Sequence, residues 1–498
     1  MKKISFPSAP TILLIICALA ALMTYLIPAG QYDTLSYSSE ANAFQLQKDG
    51  TTLSLPATQA TLDSLQVKIP VEKFTNGALY KPINVPQTYQ AKDANPQGLA
   101  AFLKAPVKGV IESADIIFLV LFIGGLIGIM NGTGAFDSGI AWMAKALKGR
   151  EFLLIILVTT LVGIGGTTFG LAEETMAFYP ILIPVFIAAG YDAMVGLASI
   201  YIGSSFGTMC STINPFSVII ASDAAGIDWT TGLEGRLLMW LVSLVLCILY
   251  ILRYAKRVKK DPSKSLVYTQ KAELEARFVG TALGTIPKLT GRIKLIILVF
   301  AATFVIMIAG VSLMDWWFVE MTATFMVGAI LIAIIGKIKE GDFIERFSKG
   351  AGELLSVAFI IGIARGVSIL MDEGRISDTL LYHASTVTEG MNPGLFANVL
   401  FVMYNGLSFF IPSSSGMAVL TMPIMAPLAD GVGIGREVIV NAYQYGMGLF
   451  AFINPTSLIL AALAVVKIGF NKWLRFVWPL VVLLAVVAMV FLTVSVYV

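Results

Sequence analysis

Two carboxylates, Glu173 and Glu174, stand side by side in an otherwise apolar stretch, Gly165-Gly166-Thr167-Thr168-Phe169-Gly170-Leu171-Ala172-Glu173-Glu174-Thr175. Ionisable groups among apolar residues are costly, and where a membrane chain keeps them they mark ion or substrate paths. This pair can carry a proton, help hold a cation, or receive an ammonium group. At an offset of 240 residues the equivalent place reads Ser413-Ser414-Ser415, directly after Pro412. Three hydroxyls at a helix start suit a carboxylate, because free N–H groups and the helix dipole favour an anion there. An acidic end and a hydroxyl-rich end together suit an amino acid, ammonium towards one and carboxylate towards the other. Arg365 lies near the middle of a third apolar stretch, 352–371. It either clamps a solute carboxylate bidentately or neutralises Glu173 or Glu174 as a structural pair.

Two further places expose backbone. Ser211-Thr212-Ile213-Asn214-Pro215 and Phe452-Ile453-Asn454-Pro455-Thr456 interrupt long apolar runs. Proline removes a backbone donor and clashes with the preceding turn. Asparagine before it suits a non-helical residue that starts the next half-helix. The freed N–H groups can meet an anion, and carbonyls before the break can coordinate Na⁺. The candidate solute-binding residues are therefore Thr167, Thr168, Glu173, Glu174, Thr175, Asn214, Pro215, Arg365, Asn405, Ser413, Ser414, Ser415, Asn454 and Pro455. Those for a coupling ion, Na⁺ or H⁺, are Glu173, Glu174, Ser211, Thr212, Asn214, Asn454 and Thr456. Asn131, Asn398, Asn441 and Gln444 fit interhelical hydrogen bonding. No cofactor beyond the coupling ion, and no metal site, is expected.

The elements that carry these residues belong in a lipid bilayer. Of 498 residues, 57% are hydrophobic and 13% charged, against about 25% charged in a soluble domain, and mean hydropathy is +0.82. That excludes a soluble enzyme, a disordered chain and a nucleic-acid partner. His383 is the single histidine, and Cys17, Cys210 and Cys247 lie far apart in apolar runs, so triad, metal and disulfide chemistry have no residues to use. A spanning helix needs about 20 apolar residues. Spans are expected at 10–28, 112–131, 191–220, 235–252, 293–312, 318–336, 352–371, 435–460 and 476–497. The first is read as a retained helix rather than a cleaved signal. Segments 151–190 and 391–430 are twice as long, are interrupted near their middle, and read as helical hairpins.

Basic residues mark cytoplasmic loops. Residues 253–294 hold 11 basic and 3 acidic residues, Lys467, Lys472 and Arg475 stand without an acid, and Lys145, Lys148 and Arg150 add to that side, as do Lys2 and Lys3. Opposite them, Asp223, Asp228 and Glu234 lie in a stretch, 222–235, with no basic residue, and Asp372, Glu373, Asp378 and Glu389 are accompanied only by Arg375 between 372 and 391. The expected topology has the N-terminus in the cytoplasm, nine spans, two hairpins and the C-terminus outside. At the 240-residue offset Ile213-Asn214-Pro215 recurs as Ile453-Asn454-Pro455, with Ser217 on Ser457, Gly166 on Gly406 and Phe169 on Phe409. Because one hairpin leaves from inside and the other from outside, the halves form an inverted-topology repeat, the plan of secondary transporters. The expected fold is thus an all-α polytopic membrane protein with two helical hairpins and two broken helices. Its parts are a first helix at 1–28, an extracytoplasmic segment at 29–108, and a first repeat at 109–252. A basic cytoplasmic linker at 253–292, a connecting helix at 293–312 and a second repeat at 313–498 follow. The segment 29–108 is either a small cap or a loose loop.

The paired breaks, inverted halves and Ile-Asn-Pro segments resemble the ion transporter superfamily, which includes divalent-anion/sodium symporters and C4-dicarboxylate anaerobic carriers. Ala172-Glu173-Glu174-Thr175-Met176-Ala177-Phe178-Tyr179-Pro180 is similar to its YfcC-type branch, related to arginine/ornithine antiporters. The resemblance covers about residues 110–498. It implies a secondary active transporter of the bacterial cytoplasmic membrane, working as a homodimer by an elevator-like motion. The sodium/dicarboxylate relatives carry Ser-Asn-Thr where this chain has Glu-Glu-Thr, Ser-Ser-Ser and Ile-Asn-Pro. The expected solute is accordingly an amino acid, a basic one among the options, moved as an antiporter or with H⁺ or Na⁺. Na⁺-coupled transport of dicarboxylates or other small organic anions is the alternative; a channel and a membrane enzyme are remoter.

Overall fold

The computed structural model describes residues 7–278 apart from 137, 140, 141 and 143–147, then 289–387 apart from 315, and 391–497. Lys2, Lys3, Lys145 and Glu389, used in the charge reading, lie outside these residues, as does 279–288 of the basic linker. The chain is mostly helical, and among the described residues ten helices are long and apolar enough to cross a membrane.

Helix α1 (Ala9–Leu26) begins with Pro10 in its first turn and stops before Pro28, which leaves Ile27 extended as a pre-proline residue requires. It buries Leu13, Ile16, Cys17, Ala20 and Thr24 on one face and exposes Ile15, Leu19 and Leu22 on the other. The polar segment that follows is an ordered cap. Strands β2 (Thr34–Ser38), β3 (Ala43–Lys48) and β4 (Thr51–Pro56) form an antiparallel meander, with β5 (Ile83–Asn84) on the far edge of β2. Two short strands, β1 (Gly30–Gln31) and β6 (Gln90–Ala91), pair separately. Helices α2 (Gln59–Ser64) and α3 (Glu72–Thr75) join the cap between β4 and β5, and Phe74 of α3 meets Phe44 edge-on at 5.2 Å.

The cap ends earlier than hydropathy suggested. Residues 99–108, expected in the extracytoplasmic segment, belong to α4 (Leu99–Glu112), which runs into α5 (Ala114–Asn131) with a break at Ser113. The pair α14 (Glu340–Glu353) and α15 (Leu355–Glu373) is broken in the same way at Leu354. These two kinked rods pack antiparallel, α4 along α15 and α5 along α14, with backbone against backbone. A Cβ at Gly124 would fall 2.6 Å from the Gly350 carbonyl, and one at Gly109 would overlap the Gly362 carbonyl outright. Small residues permit this approach where lipid supplies no hydrophobic drive between helices.

Each rod is followed by the same series. In the first half it is hairpin α6 (Phe152–Phe169) and α7 (Phe178–Ala188), then α8 (Ala193–Met209), broken before α9 (Ile220–Ala224), then α10 (Leu233–Lys260). After the short α11 (Lys271–Phe278) and α12 (Gly291–Leu313) comes α13 (Phe318–Gly336), which leads into the second rod. Helix α16 (Ser377–Val387) then precedes hairpin α17 (Pro393–Phe410) and α18 (Ser414–Val432). The broken α19 (Arg436–Ala451) and α20 (Ile459–Val466), and finally α21 (Phe470–Tyr497), complete the series. Helix α1 packs on α15 as α13 packs on α5, so the first repeat starts at α1 and the cap is inserted within it. This moves the expected boundary at 109 back into α1.

Contacts sort the loops into two ends. At the cap end, Lys73 pairs with Asp223 at 2.6 Å, Lys68 with Asp430 at 3.0 Å, and the Tyr32 N–H donates to Asp378 at 3.0 Å. At the other end, Lys259 pairs with Glu151 at 3.2 Å, the Tyr254 hydroxyl donates to Asp192 at 2.8 Å, and Gln270 donates to the Lys467 carbonyl at 3.3 Å. The first hairpin opens at this second end and the other at the cap end. The halves are inverted.

Candidate functional site

The two hairpin tips face each other across a cavity of about 430 Å³, closed by the start of α5, the middle of α15 and the loop before α13. The first tip is formed by Gly170, whose φ of +76° ends α6; a Cβ there would press on the Asn214 amide at 2.9 Å. A single 3₁₀ turn, Glu173–Ala177, then leads into α7. Thr175 Oγ1 donates to the Ala172 carbonyl at 2.5 Å, which closes the turn, and Glu174 accepts the Ala172 N–H at 3.1 Å. Glu174 is only 8% exposed, and both carboxylates line the cavity.

The first break is braced by that hairpin. Thr167 Oγ1 donates to the Cys210 carbonyl at 2.7 Å and accepts the Thr212 N–H at 3.0 Å. Asn214 accepts the Phe216 N–H at 2.9 Å and so caps the turn that begins at Pro215, while its amide donates to Ser211 at 3.2 Å and to the Gly166 carbonyl at 3.4 Å. Ser211 in turn donates to the Thr208 carbonyl at 2.7 Å. The second break repeats the device. Asn454 accepts the Thr456 N–H at 3.0 Å and donates to the Ser408 carbonyl at 2.8 Å. Asparagine fits because its carbonyl can cap one half-helix while its amide satisfies the carbonyls left by the hairpin.

The second tip starts α18. Ser413 Oγ accepts the Gly416 N–H at 3.2 Å, the Ser414 carbonyl accepts the Tyr443 hydroxyl at 2.7 Å, and Ser415 Oγ accepts from the Lys81 ammonium at 2.7 Å. All three serines line the cavity. Arg365 lines it too, but its partner is neither Glu173 nor Glu174. Its Nε donates to Glu112 at 3.0 Å, with the two side chains 40% and 45% exposed. The antiparallel run of α4 along α15 puts the last residue of α4 beside Arg365, and this corrects the expected pairing with the first tip.

Of the candidates, Glu173, Glu174, Asn214, Arg365, Ser413, Ser414, Ser415 and Thr456 line one space. Thr167, Thr175, Ser211, Thr212, Pro215, Asn454 and Pro455 stand behind it in the two braces. Thr168 turns back to the Ile164 carbonyl at 2.7 Å, and Asn405 to the Phe401 carbonyl at 2.8 Å. Three charged lining groups were missed, Lys81, Glu112 and Asp115, as were the polar Ser113, Thr208, Ser217, Tyr443 and Ser457. Gln444, expected only in interhelical bonding, lines the cavity as well. An acid at the head of an apolar run could have flagged Asp115. Nothing local marks Lys81. Glu112, Asp115, Glu173 and Glu174 thus share the cavity with two cations, Lys81 and Arg365.

The family model of the C4-dicarboxylate anaerobic carriers (DcuC) matches residues 6–497. The chain belongs to this carrier family. It is 43% identical over 99% of its length to an uncharacterized protein of Haemophilus influenzae, of which it covers 98%. It is 29% identical over 95% of its length to an Escherichia coli protein named "Putative basic amino acid antiporter YfcC", covering 93% of it. Among solved structures, the YdaH transporter of Alcanivorax borkumensis aligns at 14% identity with a TM-score of 0.39, over 98% of both chains. MtrF of Neisseria gonorrhoeae, from a class of antimetabolite efflux pumps, aligns at 14% identity with a TM-score of 0.41, over 99% of this chain and 96% of that one. As a member of the DcuC family, the chain is a multi-pass membrane transporter.

Proposed function

We propose that this protein is a secondary active carrier of an amino acid, with basic amino acids the class its cavity suits best. The observation that carries this reading is the charge inventory of the space between the tips, four carboxylates against two cations. A solute with one carboxylate and one or two cationic groups complements that set. It would place its carboxylate by the serine tip and Arg365 and its ammonium by Glu173. The name of the E. coli relative supports the same class. The inverted repeat with broken helices supports alternating access, as antiport or with H⁺ or Na⁺ as the coupling ion. The basic loops gathered at the end away from the cap support a cytoplasmic N-terminus and an extracytoplasmic cap in the bacterial inner membrane. The homodimer rests on the family resemblance.

The second reading, Na⁺-coupled transport of dicarboxylates or other small organic anions, draws on the family description and on the serine tip. It leaves the acidic tip facing a dianion, and like charges at this range repel. A thermal-shift screen of arginine, lysine, ornithine, succinate and malate, with and without Na⁺, followed by counterflow in proteoliposomes, separates the two. Stabilisation and counterflow with the basic amino acids are expected. Response to the dicarboxylates alone would overturn the amino-acid reading.

A further inference from the structure

Lys81 comes from the cap rather than from any membrane helix, yet its ammonium reaches the second hairpin tip and donates to Ser415. The cap holds it there. Pro82 follows it, β5 then pairs with β2, and Asn84 donates to Asp378 at 3.1 Å. The ion pairs of Lys73 with Asp223 and Lys68 with Asp430 fasten the same cap to α9 and to the far end of α18. Lys81 therefore projects from a tethered platform onto the serine tip.

Its surroundings are electrically one-sided. Among the described residues no carboxylate lies within ion-pair distance of the Lys81 ammonium. Burial, and then the charge of Arg365 nearby, hold Lys81 below the usual amine range. The dipole of α18 adds partial positive charge at Ser413–Ser415. Arg365 has Glu112 as its counter-ion, whereas Lys81 has the neutral Ser415 hydroxyl and, 5.6 Å away, the face of the Tyr80 ring. A half-buried cation beside another cation and a helix N-terminus is short of an anion, and charge burial is tolerated where a partner fills that place.

We infer that Lys81 is a solute-binding residue whose ammonium takes the solute carboxylate at the Ser413–Ser415 tip, so that the cap completes the site. This deepens the amino-acid reading above and rests on it for the identity of the solute. The cap then supplies half of the anion-binding end from one side of the membrane only. The serine hydroxyls position the same carboxylate, and Ser415, already bonded to Lys81, links the two.

The test uses purified full-length protein and three probes: arginine, agmatine (the same side chain without the carboxylate) and succinate. Lys81→Met is expected to weaken arginine binding about 10- to 100-fold, the usual range for losing a charged hydrogen bond, and to leave agmatine binding within a few-fold. Lys81→Arg should restore most of the arginine affinity. Unchanged arginine binding by Lys81→Met overturns the inference. So does an equal loss of arginine and agmatine, which would make Lys81 a structural peg. If the wild-type protein binds succinate and not arginine, the amino-acid reading fails, and the succinate affinity of Lys81→Met then decides the role of Lys81 alone. Binding of neither carboxylate at millimolar concentration by the wild type overturns it as well.

Discussion

Glu173 and Glu174 are neighbours in sequence but do different work at the first tip. Glu174 is turned back onto its own loop and accepts the Ala172 N–H, whereas among the described residues no other side chain bonds to or ion-pairs with Glu173 at the cavity wall. Two adjacent carboxylates at one cavity wall repel each other, so a cation or proton is shared between them unequally. The expected outcome is asymmetric. Glu173→Gln should lower affinity for a basic amino acid about 10-fold or more, or abolish the pH-gradient dependence of uptake if this group carries the coupling proton. Glu174→Gln keeps an oxygen for the Ala172 N–H and should act less on affinity. Isothermal titration and uptake at several imposed pH gradients measure both, and normal binding and coupling in both variants would show the acidic tip to be structural. Arg365 and Glu112 are a different case, since a pair this exposed contributes at most about 1 kcal/mol to stability. Its use lies in holding the guanidinium at the cavity.

At the scale of elements, each asparagine joins a hairpin to a broken helix. Asn214 caps the turn that leads into α9, and Asn454 caps the turn that precedes α20, each by accepting the N–H two residues on. Each also satisfies a carbonyl of the hairpin in its own half. Removing a cap costs about 1 kcal/mol, and an orphaned buried carbonyl costs about 1–3 kcal/mol more. Asn454→Ala, which stands behind the cavity wall, should therefore lower the melting temperature by several degrees and reduce transport through disorder of the second tip. Asn454→Asp keeps the capping oxygen and should recover part of the loss. Asn214→Ala should show both a lower melting temperature and weaker binding, because Asn214 also lines the cavity. Melting curves with and without solute distinguish these effects. Two variants with wild-type melting and transport would mean that the breaks hold themselves open without their asparagines.

At the scale of the molecule, two sets of loops gather at opposite ends, and the cap lies on the acidic set. The positive-inside rule supports the proposed placement of the cap outside. The native cysteines are all buried, so an introduced thiol gives a clean signal. Thr386→Cys, exposed near the cap end, should react with an impermeant maleimide in intact cells, and Lys264→Cys should react only after the membrane is opened. Labelling of both from the same side would remove the inverted arrangement of the loops.

The sequence by itself determined whatever is written over short distances. Apolar runs of helix length, Asn-Pro interruptions, a constant 240-residue offset and the sign of short loops are local or periodic features. They made the spans, breaks, hairpins and inverted halves legible, along with both hairpin tips. The tertiary structure alone decided which of those residues meet. Arg365 finds Glu112, 253 residues away, because two kinked rods pack antiparallel along a glycine seam. Lys81 finds Ser415, 334 residues away, because a cap of strands two to six residues long is inserted between α1 and α4. Such short strands carry little periodicity, and the charge on Lys81 gives no sign of what it faces. A contact between distant residues depends on how elements pack, and neither residue carries a local pattern that encodes it.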